Sequence, residues 1–372
     1  MDQPQQSDMP LTFTGSGSEY FRIWIVNLLL TIVTFGFYAP WAKVRRLKYF
    51  YQNTRLAGAS FNYHGQPLAI LKGRLLALGL LIAWKFAPLD QIWGVAIGIV
   101  LAAIWPWIIV RSMHFKRHNS SYRNVRFRFD GETRDVYLPF ALLVGIFFIA
   151  AIAFYPGSHP GVPKVSHAQI AVGLLSALLL LAVLPHFHFT LQQFFAKRTL
   201  FGETRFKYLA GAWDFYKIYL RLGLFFFGSV LIFAALAVAG SSMGGAGGLT
   251  MAITVVIAGL LFFYGFVLFV GPYFQVRIQN LVWNNLKLGG HRFESRARVW
   301  PLFRITLVNL LLVAFTFGFY RPFAVIRTLR YRIESLSLLP AGDLDSFVAS
   351  SEAAVSAFGA ESTDLFDVDL SL

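Results

Sequence analysis

The 372-residue sequence contains no cysteine, and only 14% of its residues are charged. Without cysteine the chain has no disulfide bridge, thiolate metal site or thiol nucleophile. The apolar segments carry no Asp or Glu at their centres, which disfavours proton-coupled and cation transport because such transporters usually use intramembrane acids. The sequence also lacks a Walker loop, a serine nucleophile elbow and a His-Glu-x-x-His motif. We therefore expect no enzyme activity, no metal site and no cofactor.

Apolar residues are abundant instead. They make up 56% of the chain, aromatic residues make up 17%, and the mean hydropathy is +0.58. A soluble domain carries about 25% charged residues, so this excess of apolar residues has to meet lipid. A membrane-spanning helix needs about 20 apolar residues. The sequence predicts an all-α integral membrane protein, a polytopic bundle of six to eight membrane segments. Eight segments reach or approach the required length: 23–41, 74–89, 91–110, 138–155, 169–189, 218–239, 250–274 and 302–320.

The basic residues are concentrated between these segments. The net charge is +15, and four linkers hold 26 of the 33 Lys and Arg residues. The positive-inside rule places such linkers in the cytoplasm. Because this placement explains most of the charge, we expect a phospholipid membrane as the partner and no nucleic acid. The linkers are residues 41–74, 111–134, 197–221 and 277–304.

The chain contains internal repeats. Residues 21–49 match residues 303–331 almost literally, including Val-Asn-Leu-Leu-Leu followed by Thr-Phe-Gly-Phe-Tyr-x-Pro. A fainter repeat places a proline at the end of five apolar segments, with Arg five residues later in four of them and Phe 21 residues later in four. The prolines are Pro40, Pro106, Pro185, Pro272 and Pro322, and the phenylalanines are Phe61, Phe127, Phe206 and Phe293.

Short alternating stretches follow three of these repeats. Residues 61–63, 127–129 and 206–208 each end shortly before a glycine, a pattern that is typical of small strands or hairpins. Small cytoplasmic β-strands between the helices therefore stay an open alternative within the all-α prediction.

One stretch resembles a known family. Residues 15–53, with their repeat at 303–331, resemble the YjgN-like family of multi-pass inner-membrane proteins of Gram-negative bacteria, a domain of unknown function. The resemblance covers roughly residues 11–335 and implies a helical membrane protein, but no activity and no functional residues. It rests on Glu19-Tyr20-Phe21-Arg22, Phe35-Gly36-Phe37-Tyr38 and Trp41-Ala42-Lys43-Val44-Arg45-Arg46.

The domain organisation follows from composition. Residues 1–20 are a polar N-terminal segment, and residues 21–333 are the polytopic membrane domain. Residues 334–372 hold 8 of the 18 acidic residues and no Lys or Arg, which predicts a disordered acidic tail able to bind a protein partner. For the first and last apolar segments two alternatives stay open. Each crosses the membrane, or each enters from the cytoplasm, turns at Thr-Phe-Gly-Phe-Tyr and returns.

Two sets of residues are candidate sites. Matched polar residues of the two outer copies either line a polar path or bond neighbouring helices together. Arginines that follow the prolines either contact anionic lipid or only set the topology. The best functional hypothesis is a channel- or transporter-like protein for neutral or anionic solute or lipid. The alternative is a non-catalytic membrane protein that organises anionic lipid or a partner protein. The path residues are Arg22, Asn27, Thr34, Arg304, Asn309 and Thr316, and the lipid contacts are Arg45, Arg111, Arg277 and Arg327.

Overall fold

A computed structural model describes residues 8–86, 91–153, 166–242 and 245–362. The ends of the predicted segments 74–89 and 138–155, the first seven residues of the polar N-terminal segment and the last ten residues of the acidic tail lie outside these ranges. The helices are α1 Gly17–Val33, α2 Ala39–Gln52, α3 Pro67–Phe86, α4 Gln91–His118, α5 Arg134–Ala153, α6 His167–Lys197, α7 Ala212–Ser241, α8 Gly245–Asn284, α9 Val299–Phe315, α10 Arg321–Glu334 and α11 Leu344–Ser362. The strands are β1 Met9–Pro10, β2 Thr12–Phe13, β3 Thr54–Leu56, β4 Ala59–Tyr63, β5 Ser120–Tyr122, β6 Val125–Phe129, β7 Thr199–Phe201, β8 Thr204–Tyr208, β9 Leu286–Leu288, β10 His291–Ser295 and β11 Leu336–Leu339.

The all-α fold class predicted from the sequence is wrong, because the strands form one large antiparallel sheet. It has 11 strands, in the order β2 to β11 followed by β1. Only Leu11 separates β1 from β2, and its N–H donates to the Leu336 carbonyl at 2.9 Å, so the two ends of the sheet meet and it closes into a barrel. The prediction failed because each strand has only two to five residues and the hairpins of different linkers pair with one another.

Side-chain alternation gives the barrel an apolar inside and a basic outside. On β6, Phe127 packs against the buried core while Arg126 and Arg128 are exposed. On β8, Phe206 is buried and its neighbour Lys207 is exposed. Successive strand residues point to opposite faces, so this pattern buries one apolar face and leaves the cations in solvent.

The same structural unit occurs five times around the barrel. Each unit consists of a strand, two helices and a second strand, and one backbone hydrogen bond closes its base. The residue after the first strand donates its N–H to the carbonyl of the residue that immediately follows the second helix. The five bonds are Thr14 to Asn53 at 2.9 Å, His64 to Asn119 at 2.8 Å, Asp130 to Arg198 at 3.0 Å, Leu209 to Asn285 at 2.9 Å and Arg296 to Ser335 at 2.9 Å.

The two outer helix pairs are short and turn back on themselves. Phe35 and Gly36 have φ values of 49° and 91°, and Phe317 and Gly318 have 50° and 94°, so the chain reverses at both Thr-Phe-Gly-Phe-Tyr motifs. Helix α1 has 17 residues and reaches about 25 Å, against about 45 Å for the 30-residue α7. Each outer copy is thus a helical hairpin that turns at this motif, and re-entry from the cytoplasm stays a prediction.

Fewer helices qualify as membrane spans than the six to eight predicted. Among the described residues, four helical stretches are long and apolar enough to cross a membrane. Helix α9 is apolar but too short, and its partner α10 returns the chain to the sheet. The four stretches are Gly98–His118, His167–Lys197, Ala212–Ser241 and Gly245–Asn284.

The helices close into a ring above the barrel. Helix α10 packs against α9 and also against α1, which joins the fifth unit to the first. Phe21 lies 5.7 Å from Phe323 between ring centroids, and Trp24 contacts Phe319 edge-on at 6.4 Å. Beyond the ring, the segment expected as an acidic tail contains β11, which pairs with β10 and β1, and α11.

Glycines at the bases of the units allow close packing. A Cβ built on Gly131 would stand 2.5 Å from Phe194 Cζ and 2.6 Å from Phe129 Cζ. We predict that Gly131→Ala lowers the free energy of unfolding by about 1–3 kcal/mol, because both rings are buried and the site is overpacked. Thermal unfolding in detergent measures this.

The control is Gly145→Ala in α5 of the same unit, where a Cβ meets nothing within 4 Å. Alanine suits a helix interior better than glycine, so this variant should unfold at the wild-type temperature or above it. Equal unfolding temperatures for the two variants would contradict the packing argument.

Candidate functional site

The inside of the barrel holds a cavity of about 320 Å³. The ends of α2, α4, α6 and α8 bound it on the helix side through Tyr51, Arg117, Gln192 and Trp283. At the opposite end, where the strand hairpins turn, α11 closes it with Leu344 and its neighbours Phe347 and Val348. We call this cavity the barrel chamber.

Aromatic side chains form the wall of the chamber. Phe61 lies 4.8 Å from Tyr122 and Phe127 lies 5.2 Å from Phe201, measured between ring centroids. Phe206 stacks on Phe293 at 6.3 Å. Four of these side chains, Phe61, Phe127, Phe206 and Phe293, are the phenylalanines of the proline repeat, so the repeated position corresponds to the chamber wall.

One cation lies at the helix end of the chamber. Among the described residues that line it, Arg117 is the only Lys or Arg, and none is Asp or Glu. The Nε atom of Arg117 is buried and has no hydrogen-bond partner. Ser120 donates its hydroxyl to the Arg117 carbonyl at 2.9 Å, and burial raises the pKa of the neighbouring Tyr51 although Arg117 and Ser120 act against it. The chamber thus offers a fixed positive charge without a counter-ion.

Sequence reasoning missed Arg117, although a signal was available. It is the second-last residue of its helix, as Tyr51, Ala196 and Trp283 are in their own units. All four line the chamber. An alignment of the five units on their prolines places these four residues in the same column and would have marked the position as a repeated one.

Helix α11 docks on the strand turns by a few specific contacts. Phe347 packs edge-on against His291 at 4.7 Å and stacks on Phe201 at 6.2 Å between ring centroids. Asp345 forms an ion pair with Arg123. Ser351 lies against Gly202, whose φ of 58° belongs to the turn between β7 and β8. The helix is therefore held by side chains rather than by sheet hydrogen bonds.

His291 is the titratable group beneath α11. It is 5% exposed, and its Nδ1 accepts a hydrogen bond from the N–H of Ala341 at 3.3 Å in the segment that leads into α11. Burial lowers the pKa of His291 below its ordinary value of about 6.5. The neutral imidazole is required here, because a protonated Nδ1 cannot accept this bond.

The predicted path residues do not line the chamber. Arg22 and Arg304 are exposed. Asn309 is buried in its helix pair, and its amide donates to the Ala324 carbonyl and the Thr328 hydroxyl, both at 3.2 Å, so it joins α9 to α10. Its counterpart Asn27 is also buried. The polar path stays a prediction.

The two threonines of that set belong to the outer turns. Thr34 donates to the Leu30 carbonyl at 2.7 Å and accepts the Tyr38 N–H at 3.0 Å. Thr316 makes the same two bonds in the other copy, to Leu312 and Tyr320. Both hydroxyls are thus engaged in ending a helix and shaping a turn.

The proposed lipid contacts are all exposed arginines. Their side chains belong to the helix segments that approach the barrel, and Arg277 also lies over the Tyr273 ring, 5.7 Å from its centroid. Lipid contact by this set stays a prediction. The set is Arg45, Arg111, Arg277 and Arg327. Within the described ranges, His, Asp and Glu residues form no group of three able to hold a metal ion.

The state of His291 predicts how α11 responds to pH. Because the folded pKa is lowered, docking of α11 is at full strength above about pH 6.5 and weakens as the pH falls below that value. We expect amide hydrogen exchange in residues 344–351 to quicken between pH 7.5 and pH 5, after correction for intrinsic rates.

His291→Gln is the matched variant, since its amide oxygen accepts the Ala341 bond at either pH. Its corrected exchange should be the same at both values. An equal acceleration in this variant and in the wild type would assign the effect to other groups.

Comparison with known proteins places the chain in a family. Residues 8–365 match the model of a family described as "Bacterial protein of unknown function (DUF898)". The chain therefore belongs to this family. The match includes β11, α11 and most of the acidic segment, so the family region extends further than the stretch 11–335 expected from the sequence.

Relatives of this chain are named as membrane proteins. It is similar to the "Inner membrane protein YjgN" of Salmonella typhimurium, with 25% identity over 356 residues, 90% of this chain and 89% of the relative. It is also similar to the protein of that name from Escherichia coli O157:H7, with 28% identity over 222 residues, 56% of this chain and 53% of the relative. These matches confirm the resemblance noted in the sequence. No solved structure matches the chain.

Proposed function

We propose that this family member is an integral inner-membrane protein of the channel or transporter type, in which an anionic solute or a lipid passes by way of the barrel chamber. The names of its relatives and its four apolar helical stretches support the membrane location. The observation that carries the proposal is the chamber itself, an apolar cavity with one cation between the helix ends and a separately docked helix. The proposal assigns no catalytic step to the protein.

The distribution of charge supports a cytoplasmic position for the barrel. The strands β3 to β10 lie within the four basic linkers, and the outer wall carries exposed cations such as Arg126, Arg128 and Lys207. Linkers rich in Lys and Arg stay on the cytoplasmic side of bacterial membranes. In this orientation the end of the barrel that α11 covers faces the cytoplasm.

Helix α11 is suited to act as a gate. It follows β11 after a short segment, residues 340–343, and it does not belong to the ring of five units. Its contacts are an ion pair on the rim and three apolar side chains that enter the chamber. Movement of α11 would open this end of the chamber without breaking any strand pairing, whereas every other element of the wall is tied into the barrel.

A disulfide that locks α11 tests the gate. A Cβ built on Gly202 lies 3.2 Å from Ser351 Cβ, close to the 3.5–4.5 Å of natural disulfides, and the chain has no other cysteine. We predict that oxidised Gly202→Cys/Ser351→Cys protein in liposomes shows at least tenfold lower flux than the same sample after reduction. The probes are chloride, glycerol and dithionite-accessible fluorescent lysophosphatidylglycerol, a single-chain anion.

The two single-cysteine variants control for the strain at Gly202 and for the redox treatment, and both should be insensitive to reductant. Equal flux in the oxidised and reduced double variant would exclude α11 as the gate. Absence of flux for all three probes in the reduced protein would overturn the transport proposal.

A second candidate function, the organisation of anionic lipid, is favoured by one feature of the outer wall. Lys207 is directly opposite Lys287, which is directly opposite Arg292, so three cations form a row across β8, β9 and β10. Like charges in this register repel each other, and anionic headgroups would relieve the repulsion. The further idea of a protein partner for the acidic segment is weaker, since Asp345 already pairs with Arg123.

Lipid counting tests this second function. We predict that Lys287→Glu at least halves the phosphatidylglycerol retained by the purified protein in native mass spectrometry, because it breaks the row of cations. Arg55→Glu, an exposed cation whose register partners are Thr12 and Ser60, is the control and should retain the wild-type amount. Equal losses in the two variants would indicate a nonspecific effect of charge.

A further inference from the structure

We propose that the barrel chamber binds a single-chain anionic amphiphile, with its charged head at Arg117 and its chain along the phenylalanine wall towards α11. This inference rests on the proposed function, because it names the class of ligand that would pass through the chamber. It concerns equilibrium binding, however, and is tested without any measurement of flux.

The charge of the ligand follows from Arg117. A guanidinium whose Nε is buried and unpartnered carries a desolvation cost that a counter-ion normally offsets. The described lining supplies no carboxylate for this purpose. Tyr51 is a neutral neighbour, since burial raises the pKa of its hydroxyl, and this hydroxyl lies beside the same point. An anionic group with several acceptor oxygens fits this arrangement.

The apolar part of the ligand follows from the wall and the size of the chamber. The wall between Arg117 and α11 consists mainly of aromatic and aliphatic side chains, among them Phe61, Phe127 and Leu288. A volume of about 320 Å³ lies at the low end of the range of about 300–1,000 Å³ for ligand pockets. Such a space suits one alkyl chain and is small for a phospholipid with two acyl chains.

The polarity of the two ends fixes the direction of the ligand. Arg117, Tyr51 and Gln192 lie at the helix end, on the last turns of α4, α2 and on α6. At the other end the polar group is His291, which burial keeps neutral and which Phe347 covers. The head group therefore belongs at the helix end, and the end of the alkyl chain belongs beside Phe347.

Native mass spectrometry of the full-length protein, released from detergent, tests the assignment with four probes. Dodecanoate and dodecyl phosphate carry a chain and a negative charge, dodecanol carries the chain alone, and butyrate carries the charge with a short chain. We expect one equivalent of dodecanoate or dodecyl phosphate to bind at least tenfold more tightly than dodecanol or butyrate. The preferred anion separates a carboxylate ligand from a phosphate ligand, and either preference supports the proposal.

Variants place the ligand in the chamber. Arg117→Leu should weaken binding of the anionic probe at least tenfold, whereas Arg55→Leu, an exposed arginine of β3 that does not line the chamber, should leave it unchanged. Arg117→Lys should keep part of the affinity. Phe127→Trp should reduce binding by filling the chamber, and it serves as the second test if Arg117→Leu unfolds.

Three results would overturn the inference: equal affinity for dodecanoate, dodecyl phosphate and dodecanol, full binding by folded Arg117→Leu, or full binding by Phe127→Trp. Binding without flux in the disulfide experiment would instead refute transport and leave the ligand assignment intact. Flux without binding would leave the passage intact and refute this ligand.

Discussion

Closure of the sheet by residues 9–13 is the constraint on which the rest of the structure depends. This short stretch pairs with β11 on one side and with β3 on the other, and thereby removes both edges of an 11-strand sheet. Strands of two to five residues are marginal as isolated hairpins. When residues 9–13 are counted as one strand, every strand of the ring has two neighbours, and the helix pairs share a common base. The chamber exists only because the ring is closed.

The five units share a base but differ in the length of their helices. The hydrogen bond from the residue after the first strand to the end of the second helix is kept within 2.8–3.0 Å in all five. Above it, α1 has 17 residues and α8 has 40. The geometry of the barrel fixes the base. Above it, a helix pair can be short, with its two helices joined by a turn such as Phe35-Gly36, without disturbing its neighbours. Residues 21–49 and 303–331, which match almost literally, form the two short helix pairs. These two pairs contact each other where α1 packs on α10.

The sequence showed the membrane character and the repeat, although nothing in it indicated that the phenylalanines of that repeat line a chamber. Hydropathy and periodic prolines act over tens of residues and are visible without the fold. The barrel could not be predicted from the sequence, because its strands pair over long distances along the chain. For example, Phe127 on β6 is opposite Phe201 on β7, and nothing in the sequence near either residue specifies that partner. The site at Arg117 was missed for the same reason: its burial depends on strands from other units. Thr34 and Thr316 were chosen as path residues, whereas their hydrogen bonds serve the turns of the outer helix pairs.

The free energy with which α11 docks on the barrel determines how readily it could act as the proposed gate. Burial of Leu344 and Val348 stabilises the docked helix by about 1.5–3 kcal/mol each. The partly buried Phe347 adds further apolar contact, and a partly exposed pair such as Arg123 with Asp345 adds about 0–1 kcal/mol. Docking is therefore favourable but far weaker than the barrel. A ligand opens such a gate only if it binds the open form more tightly than the closed form. Phe347 lines the chamber, so an alkyl chain that reaches the α11 end contacts this ring. The proposed gate therefore requires that the ligand bind more tightly once α11 has moved away than while α11 is docked.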